Sequence, residues 1–239
     1  MQLFFIRHAQ STNNALWDTT GASVGRSCDP DLTSLGREQA RLVARFIARA
    51  NPDGGRTPAE RDGGFGLTHL YTSLMMRAVA TAWEISQASG LPLEALYDIY
   101  EEGGIYLEED ASGRRIGQAG QTRAFFEKTY PGIILPADFP EGGWWNGRPH
   151  EDADGTAARA AAFLASLVDR HGASQDRVGV VSHGAFFNYL VAAMTGRRAG
   201  EGFWYVVNNT GISRFDFASD YVLVTYLNRT DHLPGELLT

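Results

Sequence analysis

The chain has 239 residues, 44% of them hydrophobic and 21% charged, which is an ordinary globular composition and excludes disordered, fibrous and membrane-spanning classes. With 21 Lys plus Arg against 28 Asp plus Glu, the net charge of -7 opposes nucleic acid and anionic lipid as partners; an anionic small molecule needs cations concentrated in one cleft. Cys28 is the only cysteine and the opening apolar run stops at Arg7, so neither a disulfide nor a signal peptide is expected, and a reducing, cytoplasmic setting is.

Leu3-Phe4-Phe5-Ile6 has no polar alternation, the pattern of a strand buried on both faces of a parallel sheet, and it ends at Arg7-His8. A loop follows. Thr33 or Ser34 then caps a helix whose apolar positions Leu35, Leu42, Val43, Phe46 and Ile47 recur at helical spacing to about Ala50. Asn51 to Gly66, rich in glycine and charge, reads as an exposed excursion within one domain spanning residues 1–239. A second strand, Thr68 to Thr72, passes through Ser73 into a helix from about Met75 to Ala88 that Gly90 and Pro92 end. Leu93 to Tyr97 is a further strand candidate, followed by the Gly-rich acidic stretch Glu101 to Gly120 and a helix over Gln121 to Tyr130.

Prolines and glycines make Pro131 to Glu151 a long loop of the kind that covers a site. A helix over Thr156 to Arg170 leads to the strand Val178 to Ser182 and the helix Phe186 to Met194. Ile212 to Phe217 and Tyr221 to Leu227 close the chain as a hairpin. Alternating strands and helices predict an α/β fold: a three-layer α/β/α sandwich with a mostly parallel central sheet and the C-terminal hairpin as an antiparallel edge.

In such a sheet ligands bind beyond the carboxyl ends of the strands. Those ends carry Arg7 and His8, Ser73 to Arg77, and His183 with Gly184. Two arginines offer planar, permanently charged donors to phosphate oxygens, and helix N-termini add backbone N–H groups. One histidine can attack phosphorus while the other hydrogen-bonds an equatorial oxygen, a transfer that needs no metal or other cofactor. Glu101 and Glu102 are the carboxyls best placed to protonate a leaving oxygen. His69, His150, His171 and His232 show no helical ligand spacing, so no metal site is expected. Trp144 and Trp145 are neighbours in a loop and are expected to point in different directions; at least one is expected to line the cleft.

Four blocks carry a family resemblance: Phe5-Ile6-Arg7-His8-Ala9-Gln10-Ser11-Thr12-Asn13-Asn14, Leu32-Thr33-Ser34-Leu35-Gly36-Arg37-Glu38-Gln39-Ala40, Ser73 to Arg77-Ala78 with Thr81-Ala82, and Val180-Val181-Ser182-His183-Gly184. In this order the chain resembles the histidine phosphatase superfamily, also called phosphoglycerate mutase-like. The resemblance implies a phosphomonoesterase acting on a small phosphorylated substrate. By it, His8 becomes phosphohistidine, Arg7 and Arg77 clamp the phosphoryl group and His183 completes the pocket. Glu101 matches the proton donor, with Glu102 as the alternative. Asn14, Gly184, Trp144 and Glu151 are expected to touch substrate, and Arg159 to pair with Glu151.

Ala9 departs from the usual glycine and Met75 from the usual aliphatic residue. The loop from Glu101 to Tyr106 lacks the basic residues with which mutases hold a substrate carboxylate, which favours phosphatase over mutase. The alternatives are a mutase-type transfer and a non-catalytic phospho-ligand module.

Overall fold

The computed structural model describes residues 1–49, 65–109 and 112–239. Most of the expected Asn51 to Gly66 excursion therefore lies outside the described residues. A six-stranded sheet has the order β3-β2-β6-β1-β7-β8, from β1 (Gln2–Arg7), β2 (His69–Ser73), β3 (Leu93–Leu96), β6 (Arg177–Ser182), β7 (Ile212–Phe217) and β8 (Val222–Arg229). The first four of these are mutually parallel, while β7 runs antiparallel to β1 and β8 antiparallel to β7. The mostly parallel sheet with an antiparallel C-terminal edge is as expected.

Strand β1 shows why the layers form. Phe4 and Ile6 enter a core with Val43, Ala44 and Ile47 of α2 (Ser34–Ala48) and Ala78, Val79, Ala82 and Ile85 of α3 (Met76–Ser89). Leu3 and Phe5 point the other way, into a core with Ala160, Phe163 and Leu167 of α5 (Ala153–His171) and Phe186, Phe187 and Leu190 of α6 (Gly184–Thr195). A strand covered on both faces has no use for a polar alternation, and its apolar run follows.

Several elements were not expected. Residues 12–20 form α1 (Thr12–Thr20), because Ser11 and Asn14 build a reciprocal capping box and Gly21, at φ 65°, ends the helix. Within the Gly-rich acidic stretch, β4 (Tyr106–Glu108) pairs with β5 (Arg115–Gly117) as a small hairpin. A 3-10 turn, Tyr97–Ile99, follows β3 and delivers the chain to Glu101. The predicted helix over 121–130 is α4 (Arg123–Thr129), capped by Thr122.

The chain's end is tied under the site. Gln39 accepts from the Gln10 backbone (2.8 Å) and donates to Leu237 O (2.7 Å) and Thr239 Oγ1 (2.9 Å). Gly36 permits this close approach of α2: a Cβ there would lie 2.0 Å from Gln10 O.

Candidate active site

The carboxyl ends of β1, β2 and β6 bring Arg7, His8, Arg77 and His183 together, and all but Arg7, which is partly exposed, are buried. His8 Nδ1 lies 2.7 Å from Ala9 O, so Nδ1 carries the proton and Nε2 keeps its lone pair, which accepts from Arg77 Nε at 3.0 Å. The His183 ring is 5.1 Å from the His8 ring, and its Nε2 is 2.9 Å from Ser73 Oγ. Ala9 substitutes for glycine without strain: its backbone is not in the left-handed region, and its N–H donates to Thr81 Oγ1.

Burial pushes both imidazoles well below their ordinary pKa, and the positive charge of Arg77 drives them further down. Both rings are therefore neutral at neutral pH. Burial also lowers the two guanidinium groups, against the pull of Glu101 on both, of Asp18 on Arg7 and of Asp29 on Arg77. Arg7 donates to Val207 O, yet its Nε has no partner, and neither has Nδ1 of His183. Two buried polar atoms without acceptors or donors among the described residues, on residues flanking His8, call for a ligand.

Glu101 sits against the start of α6. Its carboxylate accepts from the backbone N–H groups of Ala185 (3.2 Å), Phe186 (2.9 Å) and Glu102 (3.0 Å). Glu102 turns elsewhere and accepts from Tyr189 OH at 2.8 Å. At the start of α3, Asp29 accepts from the Met76 N–H at 3.0 Å. Carboxylates thus occupy N–H groups at both helix starts, those of Ala185 and Phe186 in α6 and that of Met76 in α3.

The residues assigned to substrate divide. Gly184 leaves Arg7 Nε open, since a Cβ there would come to 3.5 Å from it. Asn14 uses its Oδ1 on Ser11 and on Asn209, while its amide N–H donates to no acceptor among the described residues. Glu151 is a brace: it takes Arg159 NH2 at 2.6 Å, Tyr100 OH and Thr156 Oγ1, each at 2.8 Å. Arg159 also donates to the carbonyls of Asp98 and Tyr100, so the pair holds the backbone just ahead of Glu101.

Trp144 does not line a cleft. Both tryptophans are fully buried, packed edge to face on each other and against the Tyr100 ring. The two indoles do not diverge, their ring centroids lying 5.5 Å apart, and the glycines of the acidic stretch cover both: a Cβ on Gly104 would strike the Trp145 ring at 2.2 Å and one on Gly120 the Trp144 ring at 2.8 Å.

Sequence reasoning missed three residues. Asn209 is buried and donates to His8 O at 2.9 Å. Thr210, a β-branched residue at φ 58°, donates its N–H to Arg7 O at 3.0 Å, and such strain collects at functional sites. Burial raises the Asp29 carboxyl to about 6, against the pull of Arg77. None of the three stands in a periodic pattern; only the nearness of Asp29 to the Leu32-to-Ala40 block offered a signal.

A family profile for the histidine phosphatase superfamily (branch 1) matches residues 3–230. The chain belongs to that superfamily. A phosphoserine phosphatase of Hydrogenobacter thermophilus is 25% identical to it over 241 residues, 98% of this chain and 94% of its own. A 2,3-bisphosphoglycerate-dependent phosphoglycerate mutase of Latilactobacillus sakei is 36% identical over 81 residues, only 34% of this chain and 27% of its own. Among solved structures, phosphoserine phosphatase of Entamoeba histolytica in complex with 3-phosphoglyceric acid superposes with a TM-score of 0.60 at 20% identity, covering 98% of this chain and 99% of that one. A mycobacterial glucosyl-3-phosphoglycerate phosphatase with VO3 gives 0.60 at 21%, covering 96% and 99%. These structural likenesses show the shared fold. Among the described residues, no helix is long and apolar enough to cross a membrane.

Proposed function

We propose that this member of the histidine phosphatase superfamily hydrolyses small organic phosphomonoesters through a phosphohistidine on His8, without a cofactor. The observation that carries this reading is the pair of orphaned polar atoms, Arg7 Nε and His183 Nδ1, on either side of a neutral imidazole whose Nε2 lone pair already accepts from an arginine. A phosphoryl group supplies what is missing. Its oxygens accept from Arg7, Arg77 and His183 Nδ1–H, the tautomer present when Ser73 Oγ donates to Nε2.

The Arg77 Nε–H then leaves the His8 lone pair for a phosphoryl oxygen, and Nε2 attacks phosphorus in line. The P–N bond forms as the ester P–O bond breaks, and the leaving oxygen takes a proton from the Glu101 carboxyl. Water, giving its proton back to Glu101, attacks phosphorus, cleaves the P–N bond and releases inorganic phosphate. Metal chemistry is not required, since two guanidinium groups neutralise the charge that develops on the equatorial oxygens. Glu101 is favoured over Glu102 because its carboxyl lies at the start of α6, directly after His183, whereas Glu102 is engaged by Tyr189.

Similarity to a phosphoserine phosphatase, and a fold shared with a phosphoserine phosphatase and a glucosyl-3-phosphoglycerate phosphatase, supports small phosphorylated acids and alcohols as the first substrates to assay. The test is release of inorganic phosphate from a panel of such monoesters, with isomerised product measured alongside. Release without isomerisation is expected. Isomerisation outpacing release would make the chain a mutase, and turnover of nothing, aryl phosphates included, would leave a binding module.

A further inference from the structure

Helical spacing excludes a metal pair on one helix, but the fold assembles ligands from three elements. His69 opens β2, His171 closes α5, and Asp176 lies just before β6. Their ligand atoms lie within 4.8 Å of one another. The group sits at the amino ends of the strands, four residue steps along β2 from Ser73, about 13 Å from the phosphoryl site and not part of it.

We propose that His69, His171 and Asp176 bind a divalent transition metal ion of the zinc type. Two imidazoles and one carboxylate are the donor set such ions select, whereas magnesium and calcium take oxygen cages. Each imidazole has one nitrogen held by a neighbour that fixes its orientation: His69 Nδ1 is 2.9 Å from Thr68 Oγ1, and His171 Nε2 is 3.0 Å from Tyr71 OH. Such outer partners are what metal-bound imidazoles use to present their second nitrogen. That leaves His69 Nε2 and His171 Nδ1 as the ligand atoms.

His171 Nδ1 already meets Asp176 Oδ2 at 2.8 Å. Ligand atoms around tetrahedral zinc stand about 3.3 Å apart, so this contact opens by about 0.5 Å as the ion replaces the shared proton. His171 is buried and therefore preorganised, while His69 and Asp176 are half-buried and leave an entry path. The His69 ring has only to turn, since its centroid is 4.6 Å from that of His171. Three protein donors leave a fourth position for water. The ion would join the end of α5 to the starts of β2 and β6.

The test is titration of chelator-treated protein with Co2+, read by its visible absorption bands, followed by displacement with Zn2+. One equivalent is expected. Zn2+ at a hundredfold excess over its Kd should raise Tm by about 5 °C. His69→Ala, at a half-buried strand start, and Asp176→Asn should each weaken binding by roughly 100-fold or more and abolish the Tm shift. Phosphate release by the metal-free protein should be unchanged in His69→Ala. No binding at 100-micromolar-order Zn2+ would overturn the proposal. So would undiminished binding in His69→Ala, because the ion would then sit elsewhere, as between His8 and His183.

Discussion

Replacing Glu151 by glutamine separates a brace from a substrate contact. The Glu151 carboxylate and the Arg159 side chain are only 16% and 8% exposed, and their closest approach is 2.6 Å. Removing one partner of a buried pair costs 3–5 kcal/mol, because the other charge is left uncompensated. Arg159 keeps the carbonyls of Asp98 and Tyr100 and lies 3.4 Å over the Tyr100 ring, which places Glu151→Gln at the lower end, about 3 kcal/mol. In urea denaturation the midpoint should fall by about 1–2 M, and Tm by about 6 °C.

The pH dependence fixes the origin of that loss. Burial raises the Glu151 carboxyl, but hydrogen bonds and charge from Arg159, with Thr156 and Tyr100, outweigh it and hold the group below its ordinary 4.5. A carboxyl depressed on folding stabilises above its unfolded pKa and loses that contribution as pH falls through the folded one. The penalty of Glu151→Gln is therefore full at pH 7 and shrinks below about pH 4.5. Because the brace steadies the backbone before Glu101, kcat should fall toward 100-fold with little change in KM. A variant as stable as the parent at pH 7, with KM raised and kcat unchanged, would refute the brace and return Glu151 to the substrate.

Arg77→Ala should lower kcat/KM by 100- to 1,000-fold, the scale for losing one fixed donor to developing charge, and should raise the His8 pKa as read by NMR, since Arg77 helps depress it. His8 is buried neutral, so its contribution to stability is full above about pH 6.5 and is lost as pH falls and the unfolded chain takes up the proton; His8→Asn should lose about 1.4 kcal/mol less than the parent between pH 7.5 and 5.5 in denaturant melts. Asp29, raised from 3.8 to about 6, destabilises the fold increasingly above its unfolded pKa and in full above about 6; Asp29→Asn should stabilise by up to about 3 kcal/mol at pH 7.5, and the gain should vanish near pH 3.

Much of the site was legible because its chemistry lies just beyond the carboxyl ends of sheet strands: His8 after Leu3 to Ile6, Arg77 in the first turn of the helix after β2, His183 after β6. Strand direction alone gathers such residues at one end of the sheet. What the sequence hid depends on contacts between remote segments. Trp144 and Trp145 break the local rule that neighbours diverge and pack on each other, because the glycines that house both indoles lie in a different segment, from Gly104 to Gly120. Helix α1 hid behind a motif: Ser11 and Asn14 form a capping box with asparagine where glutamate or glutamine is usual. Asn209 and Thr210 come from a loop with no period at all, and only the antiparallel pairing of β7 on β1 brings them under His8. The helix starts hold carboxylates for an electrostatic reason the sequence did not reveal: an N-terminus that attracts phosphate attracts a carboxylate equally well, and Glu101 and Asp29 are tethered nearby.

The most direct measurement is rapid quenching of the enzyme with a radiolabelled phosphomonoester, followed by mapping of the trapped label. Acid-labile, base-stable label on the peptide that contains His8, absent from a folded His8→Ala protein that releases no phosphate, is the predicted result. Label on another residue, or undiminished phosphate release by His8→Ala, would contradict it.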